Sequence, residues 1–428
     1  MKLHIENFAK ISSADIAFDG FTVIAGKNNT GKSTVGKVLY AFFRSMSRID
    51  KRVRHDRLTT IVRAFKKATD FLISEDQAGA VLDGRVAARH LYNELVAALP
   101  DYERKLRPLA APYFSDDEER KLNSEIEQVR GAAASAIAGR LIRKVLDCVF
   151  HHQFSPLRGE NADSKIVLNV QGADNILTIH DDGFEVVKPT NFINKVQLVA
   201  SPDVLSLLNV RDIEMSEKYE RAFDKYTLEL AQGLVKKSRL SATEEEALQV
   251  KLKDIYAELD RVILGEFKLD RDNEFALHEK GNDRPTKAEN LSMGMKSFVL
   301  LRHMLQQGVL QDRDVLILDE PENHLHPTLQ IVYAKILVLL QKKFNLTVLM
   351  TSHSAFFVNA VQRFCLRELD PEKIHFYLSK EDPSRAGFMT FEDRSNATGP
   401  IFRGFNEAYA LVDALSNGGE IDDSGLSE

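Results

Sequence analysis

Gly26-Lys27-Asn28-Asn29-Thr30-Gly31-Lys32-Ser33 sets two glycines, a lysine and a hydroxyl at the spacing of a phosphate cradle, G-x-x-x-x-G-K-[ST]. Glycines let a loop wrap an anion, while successive N–H groups and the following helix N-terminus point at it. Lys32 would bridge the β- and γ-phosphates of a nucleoside triphosphate, and Ser33 would give its hydroxyl to Mg2+. The binding set is residues Gly26 to Ser33 plus Thr34, which opens the helix. Much later, the apolar run Val315-Leu-Ile-Leu318 ends in Asp319-Glu320. Asp319 suits the Mg2+ shell, and Glu320 suits polarisation of an attacking water as general base. A second apolar run, Leu346–Met350, leads into Thr351-Ser352-His353, where His353 would reach the γ-phosphate and the water. Leu291-Ser292-Met293-Gly294-Met295-Lys296 offers a serine hydroxyl and a helix N-terminus, a second phosphate site in Ser292 and Gly294. Each motif alone has a plainer reading: a chance turn, a helix cap, a core histidine. Their agreement favours the chemical one.

The elements needed to position these groups are legible around them. Leu3 and Ile5 alternate with polar neighbours, and residues 14–18 and 21–25 are short apolar runs, so the chain opens with strands. The last strand feeds the glycine loop, and residues 34–43 read as a helix. The uniformly apolar run at 315–318 predicts a central parallel strand, with its carboxylates at the carboxyl end where ligands bind in such sheets. Residues 165–200 hold four short β-rich runs, the last at 196–199, read as an accessory antiparallel sheet. Residues 266–279 read as a hairpin.

Two segments carry little chemistry. Residues 46–159 read as a helical insertion broken by Pro100, Pro108 and Pro112, and residues 210–264 as a short helical hairpin. Two helices of about 20 residues would span only about 30 Å, too short for a long coiled-coil arm. The remaining segments, 1–45, 160–209 and 265–428, make a discontinuous core. From Arg44 to Lys67 nine basic residues stand against two acidic ones, a possible phosphate-backbone contact or a solvated helix face.

With 428 residues, 44% hydrophobic and 28% charged, the chain reads as globular and larger than one ordinary domain. No apolar run approaches the roughly 18 residues of a membrane span, and the charged N-terminus lacks a signal peptide's apolar stretch. Cys148 and Cys365, with no paired spacing, suggest neither a disulfide framework nor a zinc site, so a cytoplasmic location is expected. A net charge of −6 argues against a chain that coats nucleic acid over its whole surface.

The loop at 26–33, the segment 291–296, the run 316–320 and His353 resemble, in order, the Walker A, signature, Walker B and switch-histidine motifs of ATP-binding-cassette-type ATPases. Ile5-Glu-Asn-Phe8, Leu-Ser-x-Gly-Met-Lys and Asp-Glu-Pro-Glu-Asn-His-Leu-His-Pro look most like the RecF/SMC-related AAA ATPases of the OLD, Septu and PARIS type in bacterial anti-phage defence. The resemblance implies an α/β P-loop fold with a mixed sheet core, ATP and Mg2+ as ligands, and hydrolysis of ATP. It also implies a head-to-tail dimer in which Ser292 and Gly294 of one subunit close over ATP held by the loop of the other. Gln197 is carried over as the Q-loop residue. OLD-type nucleases place a metal-dependent domain after the histidine, yet no Asp-x-Asp follows His353. The expectation is therefore an ATPase that senses or scaffolds and controls a separate effector, a nuclease. The alternative is a DNA-binding ATPase of repair or chromosome maintenance, using the basic stretch from Arg44 to Lys67.

Overall fold

A computed structural model describes residues 1–57, 131–153, 163–180, 183–187, 194–209, 223–236, 241–271 and 274–402, with residues 60, 117, 120, 121, 124, 128 and 192 between them. Most of the expected insertion, including Arg63, Lys66 and Lys67, and the chain after 402 lie outside the described residues. The chain divides into two compact units, Met1–Ser47 with Ile142–Phe184 and Phe192–Glu428, and Arg48–Leu141 with Glu185–Asn191.

In chain order the first elements are β1 (Lys2–Phe8), β2 (Ile11–Ala17), β3 (Phe21–Ala25), α1 (Lys32–Met46) and α2 (Ala134–Phe150). Then come β4 (Ser164–Val170), β5 (Ala173–His180), β6 (Gly183–Val187), β7 (Val196–Val199) and a 3-10 segment, Pro202–Asn209. Three helices follow, α3 (Lys225–Val235), α4 (Ala242–Lys251) and α5 (Lys253–Val262), and then β8 (Gly265–Leu269), β9 (Phe275–Glu279) and β10 (Thr286–Lys287). The chain continues through α6 (Met293–Gln306), β11 (Val315–Asp319), α7 (Pro327–Phe344), β12 (Thr347–Ser352), α8 (Ala355–Glu368), β13 (Ile374–Glu381) and β14 (Met389–Asp393).

Among the described residues eleven strands form one mixed sheet, ordered β6-β5-β4-β1-β2-β14-β13-β3-β12-β11-β7. One half is parallel: β13, β3, β12, β11 and β7 run the same way. The other half, β1, β2, β4 and β5, is antiparallel and continuous with it. All five residues of β3 and all six of β12 are buried, as expected for strands covered on both faces. A small antiparallel sheet, β10-β9-β8, completes the α/β P-loop architecture, with Phe267 opposite Leu277 and Leu269 opposite Phe275 as the alternation predicted.

Two expectations change. The run at 196–199 is not part of the antiparallel group: β7 pairs in parallel with β11, placing Gln197 beside Leu316. Its burial on both faces fits that position, and four residues are too few for periodicity to reveal it. Where a helical hairpin was expected, the described residues form three helices. Of these α4 starts on a capping box between Ser241 and Glu244. Among the described residues no helix is long and apolar enough to cross a membrane.

His303 of α6 makes one pH prediction. It is 2% exposed, stands edge-on to the rings of Phe267 and Phe275, and keeps Nε2 at 3.1 Å from the Leu234 carbonyl. Burial pushes its pKa down to about 4, only partly countered by that carbonyl. The unfolded chain therefore takes up the proton first, so stability is full above about 6.5 and falls as pH drops toward 4. Chemical denaturation at pH 7 and pH 4.5 should show a loss of at most about 3 kcal/mol from this group. His303→Phe should shrink the pH dependence; an unchanged slope would remove His303 as its source.

Candidate functional site

β3, β11 and β12 lie side by side in parallel, with Ala25 opposite Ser352 and Asp319 opposite Thr351. Their carboxyl ends therefore deliver the glycine loop, the carboxylate pair and His353 to one place. Gly31 caps α1 with φ 77°, a left-handed conformation that disfavours any Cβ. Lys32 is 3% exposed, and its Nζ donates to the carbonyls of Gly26 at 2.9 Å and Lys27 at 2.5 Å. Thr30 Oγ1 donates to the Lys27 carbonyl at 2.8 Å, and Ser379 of β13 braces the loop by donating to the Thr30 carbonyl at 2.7 Å. Lys27, Asn28 and Asn29 face solvent, and Thr34 is half-buried in the first turn of α1. Lys10, from the β1–β2 turn, donates to Asn29 Oδ1 at 2.8 Å, which brings a second lysine to the loop.

Asp319 Oδ1 accepts from Ser33 Oγ at 2.8 Å and from Thr351 Oγ1 at 2.5 Å. These hard oxygen donors beside a phosphate cradle fit Mg2+, which Ser33 and Asp319 would hold. When bound, the ion would neutralise charge on the β- and γ-phosphates. Glu320 sits at φ 47°, a strained conformation held by its N–H donating to the Thr351 carbonyl at 3.2 Å and to Thr351 Oγ1 at 3.1 Å. Its Oε1 lies 3.7 Å from Lys32 Nζ, and its Oε2 lies 3.1 Å from His353 Nδ1 and accepts from Asn323 at 3.1 Å. The histidine nitrogen is close to this oxygen but makes no well-formed hydrogen bond with it. Burial pushes the Glu320 carboxyl up, but Asn323, His353 and Lys32 together outweigh it and hold it below the ordinary carboxylate range. Burial pulls the Lys32 ammonium down, against the opposing pull of Glu320, Asp319 and Glu322.

Ser292 caps α6, its hydroxyl accepting from Met295 N at 3.3 Å, and is exposed. Gly294 has a different local reason from the one its motif suggested. A Cβ there would meet the His324 carbonyl at 3.0 Å, so the missing side chain admits the turn after β11. His326 caps α7, with Nδ1 accepting from Thr328 N at 3.3 Å.

Gln197 is not brought to the loop. It sits opposite Leu316, three residues short of Asp319, and lines a separate cavity with Tyr40, Arg44 and Glu229. The strand end instead leads to Ser201 and Pro202, which share a cleft with Asp319, Glu320 and Asn323. Sequence reasoning also left Lys296 and Glu322 without roles. Lys296 is 3% exposed and ties α6 to the segment after β7, with Nζ donating to Asp203 at 2.6 Å and Ser206 at 2.8 Å. Its place in the quoted Leu-Ser-x-Gly-Met-Lys run was the available signal.

Of the basic stretch, Arg44 is committed to a bidentate pair with Glu229 at 2.7 and 2.9 Å. Arg57 donates to the Ala132 carbonyl at 2.8 Å, while Lys51 and Arg54 are exposed.

The fold and these groups define a P-loop nucleoside-triphosphatase architecture. Two family models match parts of the chain: residues 195–359 match "AAA domain, putative AbiEii toxin, Type IV TA system", and residues 1–83 match "AAA ATPase domain". Both are descriptions of AAA ATPase domains. No curated protein matches the chain. Among solved structures it is similar to an SMC head bound to the C-winged helix domain of ScpA, at 13% identity over 92% of this chain and 96% of that one, TM-score 0.41. It is similar also to an SMC head domain from Thermotoga maritima, at 11% identity, 92% and 97% coverage and TM-score 0.37. A nucleotide-free ATP-binding cassette from an ABC transporter aligns at 13% identity, 88% and 87% coverage and TM-score 0.29.

Proposed function

We propose that this chain binds and hydrolyses ATP with Mg2+, as an ABC-type ATPase related to RecF and SMC heads. Its nucleotide-dependent head-to-tail dimerisation controls a separate effector, a nuclease, in bacterial anti-phage defence. One observation carries the hydrolytic part: Lys32 and His353 flank Glu320 on its two oxygens, at 3.7 and 3.1 Å. In this reading Glu320 takes the proton of the attacking water, His353 orients that water and the γ-phosphate, and Lys32 with the loop N–H groups holds the phosphates. The exposed, capped N-terminus of α6 at Ser292 is the surface offered to a neighbour's phosphate. The defence setting draws support from the toxin–antitoxin wording of the family matched over residues 195–359.

A complementation assay tests the dimer. Lys32→Ala keeps Ser292 and Ser292→Arg keeps the loop, so each alone should be inactive. Mixed one to one, half the dimers hold one complete site, restoring about a quarter of the wild-type rate. No recovery on mixing sinks the shared site. The effector is sought by co-purification with the product of the neighbouring gene; an ATPase with no partner and no phage phenotype sinks that part. Exposed Lys51 and Arg54 keep the DNA-binding reading open to a direct measurement. Salt-dependent DNA binding lost in Arg52→Glu, Arg54→Glu, Arg57→Glu protein would favour it.

A further inference from the structure

Glu322 lies just beyond the carboxylate pair and is only 3% exposed. A buried carboxylate is costly unless every lone pair finds a donor, and here only one oxygen does. Oε1 accepts from Ser352 Oγ at 2.5 Å and from the His353 N–H at 3.1 Å, while Oε2 is buried without a hydrogen-bond partner. Ser352 Oγ in turn accepts from Ser354 N at 3.1 Å, and Ser354 caps α8 through Phe357 N at 3.2 Å. One carboxylate oxygen therefore gathers the end of β12, the backbone of His353 and, through Ser352, the start of α8. Burial pushes the Glu322 carboxyl above the ordinary range, so the fold tolerates an expensive group here. A hydrophobic side chain of the same volume would fill the site more cheaply. What it could not do is hold the His353 backbone.

We propose that Glu322 is a positioning residue for ATP hydrolysis, fixing the Ser352–His353 turn to the loop after β11 so that the His353 ring stays beside Glu320. It touches neither phosphate nor water in this role; it acts through His353. A misplacement of about 1 Å in such a group costs up to about 100-fold in rate while leaving binding intact.

The inference rests on the reading of the site as an ATPase, and its test separates the two. ATP binding and steady-state phosphate release are measured for the full chain as wild type, Glu322→Ala, Glu322→Leu and Glu322→Gln, each alone and with His353→Ala. Leucine fills the volume without an acceptor, in case the alanine variant folds poorly; glutamine retains a carbonyl oxygen for both donors. Alanine and leucine should lower kcat by about 10-fold or more with ATP affinity within about 3-fold, and glutamine should recover most of the rate. In the His353→Ala background the Glu322 substitutions should cost no more than about 2-fold, because the group they position is gone. Equal losses in both backgrounds, or loss of affinity rather than kcat, would make Glu322 merely structural and overturn the proposal. Wild-type hydrolysis with unaltered kcat in Glu322→Leu overturns it alone; a wild type that hydrolyses no ATP overturns the ATPase reading and the proposal with it.

Discussion

Glu320→Gln is expected to bind ATP with wild-type affinity and to hydrolyse it at least about 100-fold more slowly, the loss typical of removing a general base. Glutamine keeps the length and planarity of the side chain, the acceptor for Asn323 and the strained backbone held by Thr351. It cannot take a proton from water. In the wild type Asn323, His353 and Lys32 outweigh burial and keep the carboxyl ionised well into acid, so the base is charged at neutral pH without further help. The slow step in the variant becomes chemistry, and the ATP-bound state accumulates. If that state is a closed dimer, the variant with ATP should elute at twice the mass of the nucleotide-free protein. Phosphate release and equilibrium ATP binding, measured on one preparation, check the claim. A Glu320→Gln rate equal to wild type would mean another group accepts the proton.

The parts of this site read most directly from sequence are those whose geometry is local. Gly26 to Ser33 lie on one strand, loop and helix, so spacing alone sets the cradle and the direction of Lys32. Asp319, Glu320 and His353 were legible because apolar runs announce buried parallel strands, whose carboxyl ends share one edge. Gln197 was not, because its place depends on register against Leu316, which a four-residue strand does not encode in its own pattern. Gly294 has a local role its motif did not announce: the atom it accommodates, the His324 carbonyl, lies thirty positions away. Glu322 was visible in Asp-Glu-Pro-Glu, but its two donors come from the end of β12, a contact only the fold reveals. Likewise the net basic stretch said nothing of Arg44's partner, since Glu229 lies far along the chain.

Lys32→Ala should weaken ATP binding by about 100-fold or more, and Lys32→Arg should not restore it. The lysine's Nζ rests on two loop carbonyls with Glu320 Oε1 at 3.7 Å. That placement suits a compact ammonium, whose three donors can be shared between loop and phosphates. A guanidinium keeps the charge but is planar and larger, and Lys32 is buried, so the fork is expected to disturb the loop carbonyls that the ammonium bridges. Charge-assisted hydrogen bonds to two phosphates are worth about 1.5–3 kcal/mol each, so losing both costs roughly 3 kcal/mol or more, a factor of about 100. Electrostatics adds to the loss. Without the ammonium, Glu320 and Asp319 face an incoming polyanion with their nearest balancing charge removed. Titration of a fluorescent ATP analogue, alongside thermal melting to show that each variant is folded, reads the effect. Near-wild-type affinity in folded Lys32→Ala protein would place the phosphates elsewhere than the loop at 26–33, and the assignments of Glu320 and His353 would fall with it.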